Sequence, residues 1–428
     1  MSKSAIVIGA GVIGSSVAWE LAKNGYSVTV VDKESGAGQG STSASSAVIR
    51  FNYSTFDSVA LAWESYRGWQ NWPAHLGIKL DHYAEVINAG VVMVEVPFMP
   101  FEPTEALFKA AGIPYEIWGA KELAEAIPGF DTGKYWPPKQ ITDDAFWDEA
   151  NGNLTAMYTK DGGYVNDPLL AAQNLAAAAV ANGAVMKFRT AVTGVIKNEV
   201  RVLGVTLSDG SELRADIVVN VGGPWSGKIN EMAGVGADFT ISVRPMRQEV
   251  HHIATPLNLL TGPMIGDMDL GTYMRPSPGG AILLGGTEPE CEPLEWVDDL
   301  DNVNMVRTQA LFESQVMRVA RRLPALQMPS SPSGIVGIYD VAADWTPIYD
   351  KTNLPGYYVA MGTSGNQFKN APFVGKLMFK LISEVEAGVD HDNNPVEIVG
   401  EYTGHKINIG TYSRKRKINE NSSGTVMG

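Results

Sequence analysis

The chain has 428 residues, 45% hydrophobic and 19% charged, which predicts a globular protein with a substantial core and two lobes. Its net charge of −14 excludes a nucleic-acid binder, because phosphate contacts need a basic surface. The single cysteine excludes an internal disulfide and any CxxC metal or redox motif, and no apolar run reaches the ~18 residues of a membrane span.

The N-terminus, Met1-Ser2-Lys3-Ser4, leads straight into an apolar run with no hydrophobic leader before it, so a soluble, cytoplasmic protein is expected. Ala5-Ile6-Val7-Ile8 predicts a strand, Gly9-Ala10-Gly11-Val12-Ile13-Gly14 a glycine turn opening a helix, and Val28-Thr29-Val30-Val31 a second strand ending at Asp32. That order is the βαβ unit that holds a dinucleotide. Gly9 permits the tight turn, Gly11 lets backbone approach a pyrophosphate, and Gly14 brings helix close to strand. The N–H groups of Val12 and Ile13 then lie at the positive helix end, facing the phosphates. Asp32, with Lys33 beside it, is placed to meet the ribose.

The run Ser41-Thr42-Ser43-Ala44-Ser45-Ser46 reads either as a polar linker or as a loop donating hydrogen bonds to the cofactor, and the upstream βαβ unit favours Ser41, Ser43 and Ser45 as contacts. Ala47-Val48-Ile49-Arg50-Phe51 follows, an apolar stretch interrupted by one guanidinium. A helix is predicted from Phe56 to Trp72, closed by Pro73, then a strand ending in Val91-Val92-Met93-Val94 and helices over Glu105–Ala111 and Ala120–Ala126. Trp136 to Asn151 predicts a loop-rich crossing between lobes. Its Asp143, Asp144 and Asp148 fit caps and turns better than a metal cluster.

Asp167-Pro168 opens a helix over Leu169–Ala181 as N-cap and first helical residue. Short strands follow, with Asp209-Gly210 as a hairpin turn, and then Ala215-Asp216-Ile217-Val218-Val219-Asn220 runs into Val221-Gly222-Gly223-Pro224-Trp225-Ser226. Val243–Val250, Tyr273–Pro276 and Ala281–Leu284 predict a further set of strands. His251 and His252 would point to opposite faces and are poor partners for one metal. Cys291, among Glu288, Glu290 and Glu292, reads as structural. A helix is expected over Val303–Leu323. Tyr357-Tyr358-Val359-Ala360-Met361 then breaks into Gly362-Thr363-Ser364-Gly365-Asn366-Gln367-Phe368-Lys369 before a helix from Pro372 to Glu386. This is a third strand, glycine turn and helix. The tail from His405, with Arg414-Lys415-Arg416-Lys417, is expected on the surface.

On these three glycine turns the chain resembles the flavin-dependent amine oxidoreductases of the D-amino-acid oxidase and sarcosine oxidase superfamily, and looks closest to the monomeric sarcosine oxidase branch. The likeness implies an α/β fold, with a Rossmann-like FAD-binding domain assembled from non-contiguous segments and a second α+β substrate domain on a mixed sheet. The expected segments are 1–85, 151–228 and 331–390 for FAD, 86–150 and 229–330 for substrate, and a tail of 391–428. It also implies that Arg50 and Lys369 share the substrate carboxylate, that Tyr273 is an active-site tyrosine, and that Val192 lies where backbone meets adenine. Gly222, Trp225, Gly337, Gly365, Asn366, Gln367, Phe368 and Lys369 are carried over as further FAD contacts.

Two departures bear on chemistry. Gly337 stands where the family attaches flavin through cysteine, so FAD is expected without a covalent bond. Leu283 stands where a lysine aids oxygen reduction, which leaves oxygen or another electron acceptor open. An arginine that glycine oxidases carry near Tyr339 is also missing, which disfavours that subgroup. The expected reaction oxidises the C–N bond of a small amino acid or N-substituted amino acid by hydride transfer to flavin, giving an imine that hydrolyses. Two alternatives stand beside it: a flavoenzyme of the same fold acting on a 2-hydroxy acid, and a non-catalytic flavoprotein subunit of a larger complex.

Overall fold

The computed structural model describes residues 3–254 and 262–427; Met1 and Ser2, which carried the expectation about the N-terminus, lie outside it, as do residues 255–261 and 428. Ser4–Ile8 forms the centre of a six-stranded sheet whose order is Ile348–Lys351, Tyr357–Met361, Ile217–Asn220, Ser4–Ile8, Ser27–Val31 and Val185–Lys187. All neighbours are parallel except Ile348–Lys351. These strands are near-continuous Val, Ile and Ala because both sheet faces are covered. Helices Val12–Lys23, Pro168–Ala181 and Ala371–Glu386 cover one face. The three-stranded antiparallel sheet of Val192–Lys197, Val202–Leu207 and Glu212–Arg214 covers the other. Helix contact is close where Gly375 meets Ser16, whose hydroxyl donates to Ala371 O at 2.5 Å.

The second sheet has nine strands, including Val91–Val94, Ala156–Thr159, Val243–Ala254, Met264–Asp267, Thr272–Ser277, Ala281–Gly286 and Gly334–Ala342. Its parallel pairing of Val91–Val94 with Met264–Asp267, among antiparallel neighbours, makes it mixed. One face packs on helix Gln309–Arg322 through Phe312, Val316 and Val319. The other carries Met93, Met246, Tyr273 and Val341 into a separate core.

Several boundaries differ from the sequence expectations. Ala156–Thr159 and Gly334–Ala342 fall inside the expected FAD segments, yet both hydrogen-bond into the nine-stranded sheet. Val86–Ile87 falls in an expected substrate segment but pairs with Gly163–Val165 in a small sheet with Val48–Ile49. The first long helix ends at Gln70, and Pro73 sits in the first turn of a second one, Trp72–Leu76, where its missing N–H costs nothing. The helix expected from Val303 begins at Gln309.

The tail also departs. Ile407, Ile409 and Tyr412 are buried in the main core, and Arg414 is 1% exposed, held by Asp238, Asp350 and Asp392 at 2.9, 3.1 and 2.9 Å. Those three carboxylates convert an apparently solvated basic run into a buried ion-pair cluster. Among the described residues no helix is long and apolar enough to cross a membrane, and no cluster of potential metal ligands occurs.

Candidate active site

The three glycine turns follow strands that are neighbours in the six-stranded sheet, so they meet at the carboxyl ends of Tyr357–Met361, Ile217–Asn220 and Ser4–Ile8. In an open parallel sheet this edge is where a nucleotide lies. Gly9, at φ +107°, allows the chain to cross under Val221: a Cβ there would lie 2.3 Å from Val221 O. A Cβ on Gly14 would lie 2.0 Å from Gly9 O, so the helix start rests directly on the turn. The helix opens at Gly11, which has no side chain to cap it; the Val12 N–H, expected to face the phosphates, is taken by Thr42, which leaves the first-turn N–H groups of Ile13 and Gly14 for a ligand. These observations fit the pyrophosphate of FAD.

The carboxylate of Asp32 accepts from Ala10 N at 2.6 Å and Glu34 N at 2.8 Å, locking the strand end to the glycine turn; its remaining lone pairs are available to a ribose. Beside it, Lys33 Nζ stands 3.3 Å from the centroid of the Trp225 ring, which joins two of the predicted contacts. Val192 lies further out, on the antiparallel sheet that backs this lobe.

The serine loop is partly otherwise engaged. Ser41 donates to Ile338 O at 2.7 Å and Ser43 to Gly40 O at 3.0 Å, so each hydroxyl proton is committed inside the protein. Ser45 accepts from Ala47 N at 3.0 Å. Thr42, which was not among the predicted contacts, accepts from Val12 N at 3.0 Å and thereby stands at the helix N-terminus with its own proton free to donate. Gly337 faces this loop: a Cβ would lie 2.9 Å from Ala44 Cβ.

Beyond the nucleotide edge lies a cavity lined by Ser45, Ser46, Arg50, Tyr273, Tyr339, Gly365, Asn366, Phe368, Lys369, Val426 and Met427, among others. It brings together all three predicted catalytic residues. Lys369, at the end of the third glycine turn, is 3% exposed and donates to Tyr53 Oη at 2.8 Å and Asn366 O at 2.6 Å. Burial holds its amine well below the usual lysine range, and the Arg50 charge adds to this. Tyr53 donates to Asn366 O at 2.7 Å, and burial pushes its phenol up to about 12. Arg50 is 4% exposed; its guanidinium donates to the carbonyls of Asn52 and, at 2.6 Å, Val426. Neither basic group has a salt bridge among the described residues; Glu288 is near enough for its charge to act on Arg50, and burial opposes a charge on Lys369.

Tyr273 shares a 2.6 Å hydrogen bond with Ser46 Oγ, and burial pushes its phenol up to about 12 as well. It pairs with Gly285, so Leu283, two residues along, points to the same face of the sheet, toward the cavity core rather than toward helix Gln309–Arg322. Gly365 rests on Tyr339: a Cβ would lie 2.3 Å from the ring. Gln367 turns inward instead, bonded to Tyr349, Asn366 and Asn370. Tyr53, Tyr339 and the 426–427 segment escaped the sequence reading. Only the run Arg50-Phe51-Asn52-Tyr53 held a usable signal, and nothing in the tail pointed inward.

A Rossmann-type lobe with three converging glycine turns, facing a mixed sheet over a buried cation pair, is the architecture of a flavin-dependent oxidoreductase. The chain belongs to the DAO family of FAD-dependent oxidoreductases, whose model it matches over residues 4–381. It is 24% identical over 415 residues to FAD-dependent oxidoreductase domain-containing protein 1 of Xenopus laevis, covering 88% of this chain and 78% of that one. It is also 24% identical to the glycine oxidase of Geobacillus kaustophilus, covering 90% and 94%. The solved structure of L-proline dehydrogenase from P. horikoshii superposes with a TM-score of 0.76 at 22% identity, covering 97% of both chains. The similar proteins thus include a glycine oxidase and a proline dehydrogenase, and family membership does not single out the sarcosine oxidase branch.

FAD therefore binds along the glycine edge, where it supplies hydride acceptance when bound. Gly9, Gly11, Thr42 and the first turn of Val12–Lys23 are placed to hold it.

Proposed function

We propose that this enzyme oxidises the C–N bond of a small amino acid or N-substituted amino acid whose carboxylate sits between Arg50 and Lys369. The observation that carries this reading is two buried basic side chains in one cavity, neither in a salt bridge among the described residues, with Glu288, whose charge reaches Arg50, bonded to the far side of Val426. A substrate anion would supply the missing charge, with Arg50 as a fork and Lys369 as a point charge. Carboxylate binding would also restore the proton that burial disfavours on Lys369. Tyr273 and Tyr339 close the sheet side of the cavity and restrict the reach of water. The clamp fixes the substrate α-carbon, which is the contribution expected of the protein in such a reaction. That similar proteins are named for glycine and L-proline supports a small amino acid as the substrate class.

The test is an anaerobic screen of glycine, N-methylglycine, L-proline and other small D- and L-amino acids, read as loss of flavin absorbance, alongside 2-hydroxy acids. Bleaching by an amino acid with a saturable rate supports the reading. Bleaching only by hydroxy acids defeats it.

A further inference from the structure

The residue that closes the cavity is Val426, and its two backbone polar groups are both engaged. Its carbonyl accepts from Arg50 Nη2 at 2.6 Å, and its N–H donates to Glu288 Oε2 at 2.8 Å. The spanning unit is N–Cα–C=O, the skeleton of an α-amino acid. We propose that the segment Gly424–Met427 occupies the substrate subsite as a built-in mimic, and that Glu288 is the residue that recognises the substrate nitrogen while Arg50 takes the carboxylate. This rests on the carboxylate clamp proposed above and adds a second anchor to it.

Three further observations support it. Among the described residues, the hydrogen bonds that join 422–427 to the chain before Asn419 are those two alone; the others run within 419–427. The segment's other hold is apolar, Val426 and Met427 packing among Met93, Met264 and Tyr273, so a ligand that offers the two polar groups better competes with those polar ties. Glu288 holds φ at +53°, an uncommon conformation for a side-chain-bearing residue and one that persists where surroundings impose it. Its other oxygen accepts from Gln248 Nε2 at 3.2 Å, which fixes the carboxylate toward Val426. Burial pushes the Glu288 carboxyl up to about 8, so a charged substrate nitrogen beside it would favour the ionised form as the neutral amide N–H of Val426 does not, and a substrate carboxylate satisfies Arg50 better than a carbonyl.

The experiment uses flavin-loaded protein under anaerobic conditions and two probes of matched shape, N-methylglycine and butyrate, which differ in carrying a nitrogen. Dissociation constants are read from the saturation of the flavin spectral change. A stop after Ser423 should tighten both probes about tenfold, since a competing occupant is removed. In that background Glu288→Gln should weaken N-methylglycine about tenfold and leave butyrate within twofold. A synthetic Thr-Val-Met-Gly peptide should compete with both probes in the truncated protein. Should truncation impair folding, Val426→Pro, which removes the N–H given to Glu288, takes its place. Unchanged affinity without the segment shows it to be a fixed wall and overturns the mimic. Equal effects of Glu288→Gln on both probes overturn nitrogen recognition while leaving the clamp standing. Failure of both probes to bind any form overturns the clamp itself and this inference with it.

Discussion

Lys369 Nζ donates to the Tyr53 hydroxyl at 2.8 Å, joining the third glycine turn to the strand exit that carries Arg50. The contact places two basic groups on one cavity wall, and it makes Tyr53 the support of a lysine whose charge burial opposes. Lys369→Met should lower kcat/KM by about 100-fold, the scale of a lost charge-assisted hydrogen bond, with flavin content unchanged. Tyr53→Phe should cost less, about tenfold, because Asn366 O remains as a partner. Steady-state kinetics together with the ratio of flavin to protein absorbance checks both.

Arg50→Ala should raise KM for carboxylate substrates by about 100-fold or more and leave the protein yellow. Loss of colour on purification would instead make Arg50 a cofactor ligand, and the clamp reading would fall.

Leu283 lies on the cavity face of the sheet, in the apolar cluster of Tyr273 and Tyr339. A cation placed there would stabilise negative charge developing on oxygen. Leu283→Lys should raise the rate of oxygen consumption about tenfold or more while anaerobic flavin reduction changes little. Stopped-flow reoxidation in aerated buffer measures it, and an unchanged rate would remove Leu283 as the reason for any preference against oxygen.

His251 is fully buried, edge-on to Phe312, and desolvation pushes its imidazole down to about 4 despite Glu249 at 3.8 Å. A folded value below the unfolded one means the native state binds fewer protons, so the associated stability is present above the ordinary value of 6.5 and lost as pH falls toward 4. His251→Phe should flatten that decline by up to ~3 kcal/mol. Urea melts at pH 7 and pH 4.5 give the comparison: an equal decline in both proteins would mean that His251 does not titrate on unfolding.

Gly14→Ala should abolish flavin binding, because its Cβ would sit 2.0 Å from Gly9 O and force the helix off the turn. Flavin titration of refolded protein checks this, with the circular dichroism spectrum separating lost binding from lost fold.

The glycine turns of the cofactor lobe were legible in the residues alone, because their signals are local. A strand, a glycine turn and a helix follow one another within a few residues, and steric limits on φ tie each residue type to its place. Asp167 caps its helix by accepting from Leu170 N at 2.9 Å, and His251 and His252 point to opposite faces, one buried and one exposed, as strand alternation requires. Other features depend on partners remote along the chain and became visible only once it was folded. Arg414 reads as surface until Asp238, Asp350 and Asp392 are folded around it. Val426 reads as tail until Arg50 and Glu288 reach it, and Gly334–Ala342 joins the second sheet because Val243–Ala254 offers it an edge. Local periodicity records which face of an element is apolar. It carries no record of which distant charge or strand will meet that face, since that choice is made by packing of the whole chain.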